Sequence, residues 1–282
     1  MEVVAAKILP KKEDSKLKFR LSVSKSKTFD DCKRKFKYNY LDKLPRKEWD
    51  HFVFGSFNHK YLEDFHEDLL QHPERESSWN DRLDVAWSSA VDEFKDMKPD
   101  QIEEARGIFN CYKEILEEDG LPDIVSVEEP FVIELDGQVL LNGFIDRVQM
   151  DPDGIIHVGD YKTTKNKKYM TDFFQLETYA YALMTKDPSI KKVRASYIML
   201  RHEFDYITEE FTREEIMGKI AQKFIQYKKD IEEEKTWRAN PQFLCKFCDF
   251  TDHCEEGTSF LIKRGLIQPK NTKHVKVGLD SW

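Results

Sequence analysis

The chain has 282 residues, of which 40% are hydrophobic, and its formal net charge is −8 at pH 7. This length accommodates one large domain or two modest ones, and the apolar content is sufficient for a buried core. No apolar run approaches the ~20 residues of a membrane span, and the N-terminus lacks the apolar core of a signal peptide. We therefore expect a cytoplasmic protein with no membrane partner.

The charge is distributed unevenly along the chain. Residues 1–50 carry 15 Lys and Arg against 8 Asp and Glu, so this segment is basic although the whole protein is acidic. Four aromatic residues lie between its charges: Phe29, Phe36, Tyr38 and Tyr40. This composition suits a surface that binds phosphates and stacks bases. A solvated helix explains it equally well.

Two helices are predicted in the N-terminal third. Ser24 and Ser26 provide N-cap chemistry for the first helix, which is expected to run to about Tyr40 with Cys32 on its apolar face. The second helix is expected over residues 52–71. It carries His59 and Glu63 at i and i+4, so their side chains point the same way.

Residues 78–119 read as two further helices, broken near residues 97–99 and ended by Gly120. Cys111 lies there, and its expected role is that of a buried structural thiol. A strand over residues 125–135 follows, and one of its acids, Glu128 in preference to Glu129, is a candidate acid behind the metal ligands or a ligand for a second cation. An ordinary carboxylate at a strand start is the alternative interpretation.

The stretch from residue 139 to residue 163 carries the most informative pattern. Two runs rich in Val, Ile, Leu, Phe and Tyr flank an Asp-Pro-Asp-Gly turn, which predicts an antiparallel hairpin. Asp146 lies in its first strand and Asp160 near the end of its second. Lys162 is two residues further on, so it lies on the same face as Asp160.

This constellation suits metal-assisted hydrolysis of a phosphodiester. The reaction needs a divalent cation held by oxygen ligands, an activated water and neutralisation of charge on the phosphate. Asp146, Asp160 and the backbone carbonyl of Tyr161 could hold Mg²⁺ or Mn²⁺. Lys162 could orient the water and neutralise charge. A surface hairpin with ordinary charges explains the spacing alone equally well.

The remainder of the chain predicts a crossover back to the sheet. Basic residues in a loop after the hairpin, Lys165, Lys167 and Lys168, could grip DNA phosphates. A helix over residues 171–184 carries Gln175 and Tyr179 on one face. Strands over 192–200 and 207–211 and a charged helix over 213–234 complete a mixed sheet with a strand, helix, strand crossover.

The C-terminal segment contains a metal-ligand pattern. Cys245, Cys248 and Cys254 have the spacing Cys-x2-Cys-x5-Cys, which is a strong signal for a metal or cluster site. Three cysteines need a fourth ligand, and Cys32 is the best candidate. A structural zinc site is the alternative to an iron–sulfur cluster, and His253 could replace a thiolate in it.

Taken together, these motifs resemble the RecB-type branch of the PD-(D/E)XK nuclease superfamily. The matching residues are Gly143-x-x-Asp146, Asp160-x-Lys162 and Gln175-x-x-x-Tyr179, preceded by Gly55-x-x-x-His59-x-x-x-Glu63. The resemblance extends over roughly residues 22–254. The single and triple cysteines resemble the [4Fe-4S] staple of CRISPR-associated iron–sulfur exonucleases, and the whole chain is also similar to phage RecB-like exonucleases.

The resemblance implies a fold, a site and a reaction. It implies an α/β restriction-endonuclease-like core with a central mixed sheet, a helical insertion and a C-terminal cysteine cluster. It makes His59 an additional ligand of the Mg²⁺ or Mn²⁺ ion and gives Gln175 and Tyr179 supporting roles at the catalytic site. It implies an exonuclease acting on free ends of single-stranded DNA, in recombination, repair, CRISPR adaptation or phage DNA metabolism, with possible recombination or CRISPR partner proteins.

These expectations define a single nuclease domain over residues 1–282. Its segments are N-terminal helices (22–71), a helical insertion (72–122), the catalytic sheet (123–212), a helix with the cysteine cluster (213–254) and a tail (255–282). The competing hypothesis is a non-catalytic DNA-binding or adaptor protein that retains the fold and the cluster. A broken Asp/Asp/Lys set would favour that hypothesis, and the set is complete.

Overall fold

A computed structural model describes residues 6–8, 19–47 and 49–268. These residues form two compact units. The sheet unit contains the described residues up to 26 and from 49 to 233, and the cysteine unit contains residues 27–47 and those from 234 onward. Part of the basic N-terminal segment, including residues 9–18, lies outside the described residues, as does the end of the tail. The expectation of one nuclease domain stays a prediction.

A mixed seven-stranded sheet is the centre of the sheet unit. Its strands are β1 (Ala6–Ile8), β2 (Phe19–Leu21), β3 (Asp123–Leu135), β4 (Val139–Met150), β5 (Ile156–Lys162), β6 (Lys192–Met199) and β7 (Asp205–Thr212). The order across the sheet is β1-β3-β4-β5-β6-β7, and β2 pairs in parallel with β4. The predicted α/β class with a central mixed sheet is confirmed.

Both predicted hairpins are present. Strands β3 and β4 pair antiparallel across a turn in which Asp136 has φ 49° and Gly137 has φ 66°, the backbone conformation expected of an Asp-Gly turn. Strands β4 and β5 also pair antiparallel, across a turn that ends at Gly154 with φ 79°. The register of the second hairpin is the feature that positions the acidic residues described below.

The crossover after the hairpins is also confirmed. Strands β5 and β6 are parallel and are joined through a helix, and β7 then pairs antiparallel with β6. A parallel pair of this kind needs a connection that crosses a face of the sheet, which the helix provides.

Eight α-helices occur in the described residues. They are α1 (Val23–Asp31), α2 (Lys33–Phe36), α3 (Asp50–Gln71), α4 (Trp79–Glu93), α5 (Pro99–Asp119), α6 (Phe174–Lys186), α7 (Arg213–Glu233) and α8 (Glu255–Lys263). Helices α3, α4 and α5 share a buried aromatic core in which Phe57 packs edge-on to Trp87 and Trp87 packs against Phe109. None of the described helices combines the length and apolarity needed to cross a bilayer.

The prediction of one continuous helix to Tyr40 is wrong. The first helix begins at Val23, and the Ser22 hydroxyl accepts a hydrogen bond from the Lys25 backbone N–H at 3.2 Å, so neither Ser24 nor Ser26 is the cap. The helix then breaks at Cys32, whose backbone is extended. The Cys32 sulfur caps the next helix, which places this cysteine at a helix start and not on an apolar stripe.

The prediction of a base-stacking surface is wrong for two of its aromatic residues. Phe29 and Phe36 are buried, and their rings pack edge to face at 5.2 Å between centroids. Phe36 is also stacked on Trp237. These aromatic residues form the core of the cysteine unit, because the helical spacing that exposes charges directs the aromatic residues inward.

Candidate active site

Three acidic residues lie in one row across the sheet unit. The β4–β5 register pairs Arg147 with Gly159, so the next residues along are Asp146 and Asp160. On the other side of β4, Glu128 falls opposite Asp146 in the register of the β3–β4 pair. Neighbours in one row of a sheet project from the same face, so the three carboxylates share a face.

Glu128 has an unusual backbone. Its φ of 44° lies in the left-handed region, which residues with a β-carbon seldom occupy. The side chain is half-buried, and burial together with the negative charge of Asp146 raises the pKa of Glu128 to about 7. The sequence suggested this residue only weakly, because a strained conformation within a strand has no residue signature.

Asp146 is held by two contacts. Its Oδ2 accepts a hydrogen bond from the Tyr161 backbone N–H at 2.9 Å and lies 3.4 Å from Nδ1 of His59. Burial and the neighbouring charge of Asp160 raise the pKa of Asp146 to about 6. A carboxylate in this position gains from a cation, since a positive charge offsets both effects.

His59 brings helix α3 to the acidic row. Its Nε2 lies 3.0 Å from the carbonyl oxygen of Tyr161. Ligand atoms of His59, Glu128 and Asp146 all lie within 4.8 Å of one another. Two crowded carboxylates, an imidazole and a backbone carbonyl are a ligand set that Mg²⁺ and especially Mn²⁺ accept, so the residues present fit a divalent cation.

Asp160 and Lys162 form the adjacent part of the site. Asp160 is 1% exposed, and its carboxylate forms an ion pair with Lys162. Lys162 also donates a hydrogen bond to Oε1 of Gln175 at 3.3 Å, and Nε2 of Gln175 donates to the Tyr179 hydroxyl at 2.8 Å. Burial raises the pKa of Tyr179 well above its ordinary value, so this phenol stays protonated.

The structure therefore brings together the residues singled out in the sequence, in two subsets. His59, Glu128, Asp146 and the Tyr161 carbonyl form one, and Asp160, Lys162, Gln175 and Tyr179 form the other. Among the described residues, Asp160 is not part of the compact group that includes His59. Their catalytic and ligand roles remain predictions.

His59, Glu128, Tyr161 and Lys162 line an open cleft of about 820 Å³ in the sheet unit. Two of its walls were not foreseen: Phe52, which is 58% exposed, and Arg201, which is held by Glu104 at 2.8 Å. Arg201 lies just beyond the end of β6, beside the strand that carries Asp160. Arg201 could have been suspected because it is a basic residue at the end of a central strand. The sequence alone, however, does not indicate which strand is the neighbour of β5.

The three loop lysines have different surroundings. Lys167 forms an ion pair with Asp205 at 2.6 Å, and the side chains of Lys165 and Lys168 are exposed. In the part of the chain that the structure describes, none of the three lines the cleft. Their contact with DNA stays a prediction.

The second cluster of chemical interest lies in the cysteine unit. Cys32, Cys245, Cys248 and Cys254 all line one cavity. Cys111 belongs to the sheet unit, where it is partly buried against the helical core and burial raises the pKa of its thiol. The four predicted ligands are therefore gathered together, apart from the fifth cysteine.

Backbone N–H groups point at three of these sulfurs. The N–H groups of Lys35 and Asn240 donate to Cys32 Sγ, and that of Gly257 donates to Cys254 Sγ, each at 3.4 Å. The N–H of Gln242 donates to Cys245 Sγ at the same distance. Such donors stabilise a thiolate, which is the form that binds metal.

Gly257 leaves the room that these sulfurs need. A β-carbon at this position would lie 3.3 Å from Cys254 Sγ and 3.6 Å from Cys245 Sγ. The glycine thus permits close approach of the helix α8 backbone to two of the four sulfurs.

The fold and the acidic row suit a metal-dependent nuclease, and comparison with known proteins identifies the class. The sequence profile of the PD-(D/E)XK nuclease superfamily matches residues 20–255. This chain belongs to that superfamily.

Two relatives add detail. One subunit of an ATP-dependent helicase/deoxyribonuclease from Streptococcus uberis is 37% identical over 71 residues, which are 23% of this chain and 6% of that protein. The match thus spans a small part of the relative. A crystal structure of a "putative exonuclease" from Eubacterium rectale is 12% identical with a TM-score of 0.52, covering 85% of this chain and 92% of its own. At that identity the likeness establishes the fold alone.

Proposed function

We propose that this protein is a Mg²⁺- or Mn²⁺-dependent DNA exonuclease that removes nucleotides from the ends of single-stranded DNA. The observation that carries the proposal is the row of Glu128, Asp146 and Asp160 beside His59 and Lys162, with His59, Glu128 and Lys162 lining one cleft. A bound divalent cation supplies Lewis-acid polarisation of the phosphate and a water activated for attack.

Residues of the chain bind the cation and neutralise the charge that develops on the phosphate. Asp146, Asp160, His59 and the Tyr161 carbonyl hold the cation, and Glu128 adds a further carboxylate. Lys162 donates to the attacking water or to a phosphate oxygen as negative charge develops.

Lys162 is held for this task from two sides. Asp160 forms an ion pair with it, and Gln175, itself bonded to the Tyr179 hydroxyl, accepts a second hydrogen bond from its ammonium group. An ammonium group fixed in this way does not have to reorganise during the reaction, which is why such a group is effective.

The deoxyribonuclease among the relatives supports DNA as the substrate and supports a partner protein of the helicase type. Single-strand preference is supported by the exposed Phe52 ring on the cleft wall, since aromatic rings stack on unpaired bases. The biological setting we propose is recombination, repair, CRISPR adaptation or phage DNA metabolism. The competing adaptor hypothesis predicts DNA binding without cleavage.

We further propose that the four cysteines hold a [4Fe-4S] cluster. The Cys-x2-Cys-x5-Cys spacing and the position of all four cysteines on one cavity support the cluster. Among the described residues, His253 does not line that cavity. A structural zinc ion with four cysteine ligands is the alternative.

The proposed activity is tested with end-labelled single-stranded and double-stranded DNA, with Mn²⁺ and with a chelator. We expect metal-dependent loss of nucleotides from single-stranded ends, and circular single-stranded DNA should resist. Asp160→Ala should abolish cleavage and leave the fold intact by circular dichroism. Asp205→Ala is the matched control on an exposed acid of β7 and should cleave normally.

Three results would decide against the proposal. Cleavage by the Asp160 variant at the parental rate removes the acidic row from the mechanism. Cutting of circular DNA identifies an endonuclease. Tight binding of DNA by the parent without any cleavage favours the adaptor hypothesis.

A further inference from the structure

Arg147 lies beside Asp146 on β4 and therefore projects from the opposite face of the sheet. The residue is 2% exposed, and its Nη2 donates a hydrogen bond to the Tyr206 hydroxyl at 2.8 Å. Its guanidinium lies 5.7 Å from the centroid of the Tyr161 ring. Its Nε, also buried, has no hydrogen-bond partner. No carboxylate among the described residues forms an ion pair with it.

The other buried arginine of the sheet unit provides a contrast. Arg82 is 8% exposed, and its Nε donates to Oδ2 of Asp68 at 2.5 Å while Nη2 donates to the backbone carbonyls of Asp68 and His72. That guanidinium is paired and capped. Because a buried charge without a counterion is costly, Arg147 calls for an anion that Arg82 does not need.

Arg147 lines a cavity of about 620 Å³ in the sheet unit. A cavity of this size accommodates a small organic molecule. Leu116, Pro122 and Met150 provide apolar walls, and Tyr206, 43% exposed, provides a flat aromatic surface. Apolar and aromatic side chains thus lie next to the one arginine of the cavity lining.

Further polar groups in the cavity narrow the choice of ligand. The Tyr206 hydroxyl accepts from Arg147, so its own proton can be donated to an anion. Gln149 also lines the cavity, and its buried Oε1 has no partner, so it can accept a hydrogen bond. Asp119, Asp123 and Asp151 also line the cavity, and Asp151 is already paired with Arg194. These carboxylates disfavour a long polyanion such as DNA.

We propose that this cavity binds a small phosphate monoester with a flat, hydrogen-bonding body, of the chemical class of the nucleoside monophosphates. The phosphate contacts Arg147 and the Tyr206 hydroxyl, the base stacks on the Tyr206 ring, and Gln149 accepts from an exocyclic amino group. On the proposed function, on which this step rests, the ligand is the nucleotide that the exonuclease releases.

The location connects this ligand to the acidic row. Arg147 directly follows Asp146, and the Tyr161 ring faces Arg147 while its backbone N–H and carbonyl contact Asp146 and His59. Occupation of the cavity should therefore alter cleavage.

Binding is measured by calorimetry with deoxyadenosine monophosphate, inorganic phosphate and deoxyadenosine, in a chelator so that no cation at the acidic row can hold the nucleotide. We expect the nucleotide to bind and the phosphate and the nucleoside to bind at least tenfold more weakly. Tyr206→Phe removes a hydrogen bond to a charged group and should weaken binding roughly tenfold. Tyr169→Phe, on an exposed tyrosine outside the cavity, should bind as the parent does.

Arg147→Gln should abolish nucleotide binding. Because loss of a buried arginine could also impair folding, Tyr206→Phe is the deciding variant. Unchanged affinity of that variant, absence of nucleotide binding by the parent, or equal affinity for nucleotide, phosphate and nucleoside would each overturn the proposal.

The Asp160→Ala protein separates the two proposals, since it should lose cleavage and keep nucleotide binding. If the parent binds the nucleotide but never cleaves DNA, the cavity stands and the proposed function fails. If the parent cleaves DNA but does not bind the nucleotide, the proposed function stands and the nucleotide site fails.

Discussion

The acidic row and the cysteine cluster are built by different means. The carboxylates of the acidic row are positioned by the register of three strands, a histidine from one helix lies beside Asp146, and a glutamine from another accepts a hydrogen bond from Lys162. The sulfurs of the cysteine cluster are held mostly by N–H groups within three residues of each cysteine. The first site is formed by long-range packing, whereas the second consists of local turns that a bound cofactor would join.

This difference predicts which site depends on its metal. A sheet with a buried core keeps its register when a surface cation leaves. The short turns that converge on the four sulfurs have only the small aromatic core around Phe29 and Phe36 beside them, and metal-binding energy in such units is folding energy. Loss of the cofactor should therefore disrupt the cysteine unit, and loss of Mg²⁺ should leave the sheet unit folded.

The largest effect is expected from Cys254→Ala. This change removes one of four ligands, so the purified protein should be colourless, lack iron and be poorly soluble. Closing a loop of the length between Cys32 and Cys245 is worth roughly 5 kcal/mol if the disulfide relation is applied to a metal crosslink, so the melting temperature should also fall. Iron analysis, visible absorption and thermal melts measure these outcomes.

Cys111→Ala is the matched control, since it removes a thiol from the other unit. It should keep its iron and its colour. Equal iron loss for Cys111→Ala and Cys32→Ala would mean that the ligand assignment is wrong, and stoichiometric zinc in place of iron in the parent would favour the structural zinc site.

The next largest effect is expected from removing the ammonium group of Lys162 beside the acidic row. Lys162→Ala should lower the single-turnover cleavage rate by about 10² or more, because the ammonium acts on charge that develops in the reaction. Mn²⁺ binding and most of the DNA affinity should persist. Lys192→Ala, on an exposed lysine paired with Glu210, is the control. If DNA affinity falls as much as the rate does, Lys162 is a phosphate clamp instead.

A smaller effect is expected at the metal itself. His59→Ala should raise the Mn²⁺ concentration for half-maximal activity by about tenfold or more, since the site loses a ligand while its carboxylates remain. His72→Ala removes an exposed histidine at the end of the same helix and should change nothing. Identical Mn²⁺ titrations for His59→Ala and the parent would make His59 a structural residue.

Much of the fold and of the acidic row could be predicted because it is encoded locally. Turn residues and apolar runs indicate the two hairpins, and the spacing of Asp160 and Lys162 indicates a shared face. The break at Cys32 could not be predicted, because helical periodicity continues through it and only the sulfur's role as a cap interrupts the helix. Glu128 occupies a left-handed backbone conformation, and Arg201 lies at the cleft because β6 is the neighbour of β5. The sequence indicates neither feature.

The smallest effect concerns a histidine that the sequence did not single out. His66 is buried in the sheet unit, and its Nε2 lies 2.7 Å from the Tyr112 hydroxyl. Burial, together with the positive charge of Arg147, lowers the pKa of His66 well below its ordinary value, so the imidazole is neutral in the folded protein. In the unfolded chain it takes up a proton near pH ~6.5.

Acid should therefore favour unfolding of the sheet unit. The contribution of His66 to stability is fully present above the unfolded pKa and is lost as the pH falls below it toward the folded pKa. Between about pH 7 and about pH 5.7 we expect the free energy of unfolding to fall by about 1 kcal/mol on account of this residue.

The contribution of His66 is isolated by comparing denaturant unfolding of the parent and of His66→Gln at several pH values. The variant keeps a polar side chain near Tyr112 but has no titrating group, so the difference in unfolding free energy between the two proteins should shrink as the pH falls. A constant difference over this range would mean that the pKa of His66 is the same in the folded and unfolded states, so that the folded protein also takes up the proton as the pH falls. The helical core would then have to hold a second buried cation beside Arg147, which its apolar and aromatic lining could not offset.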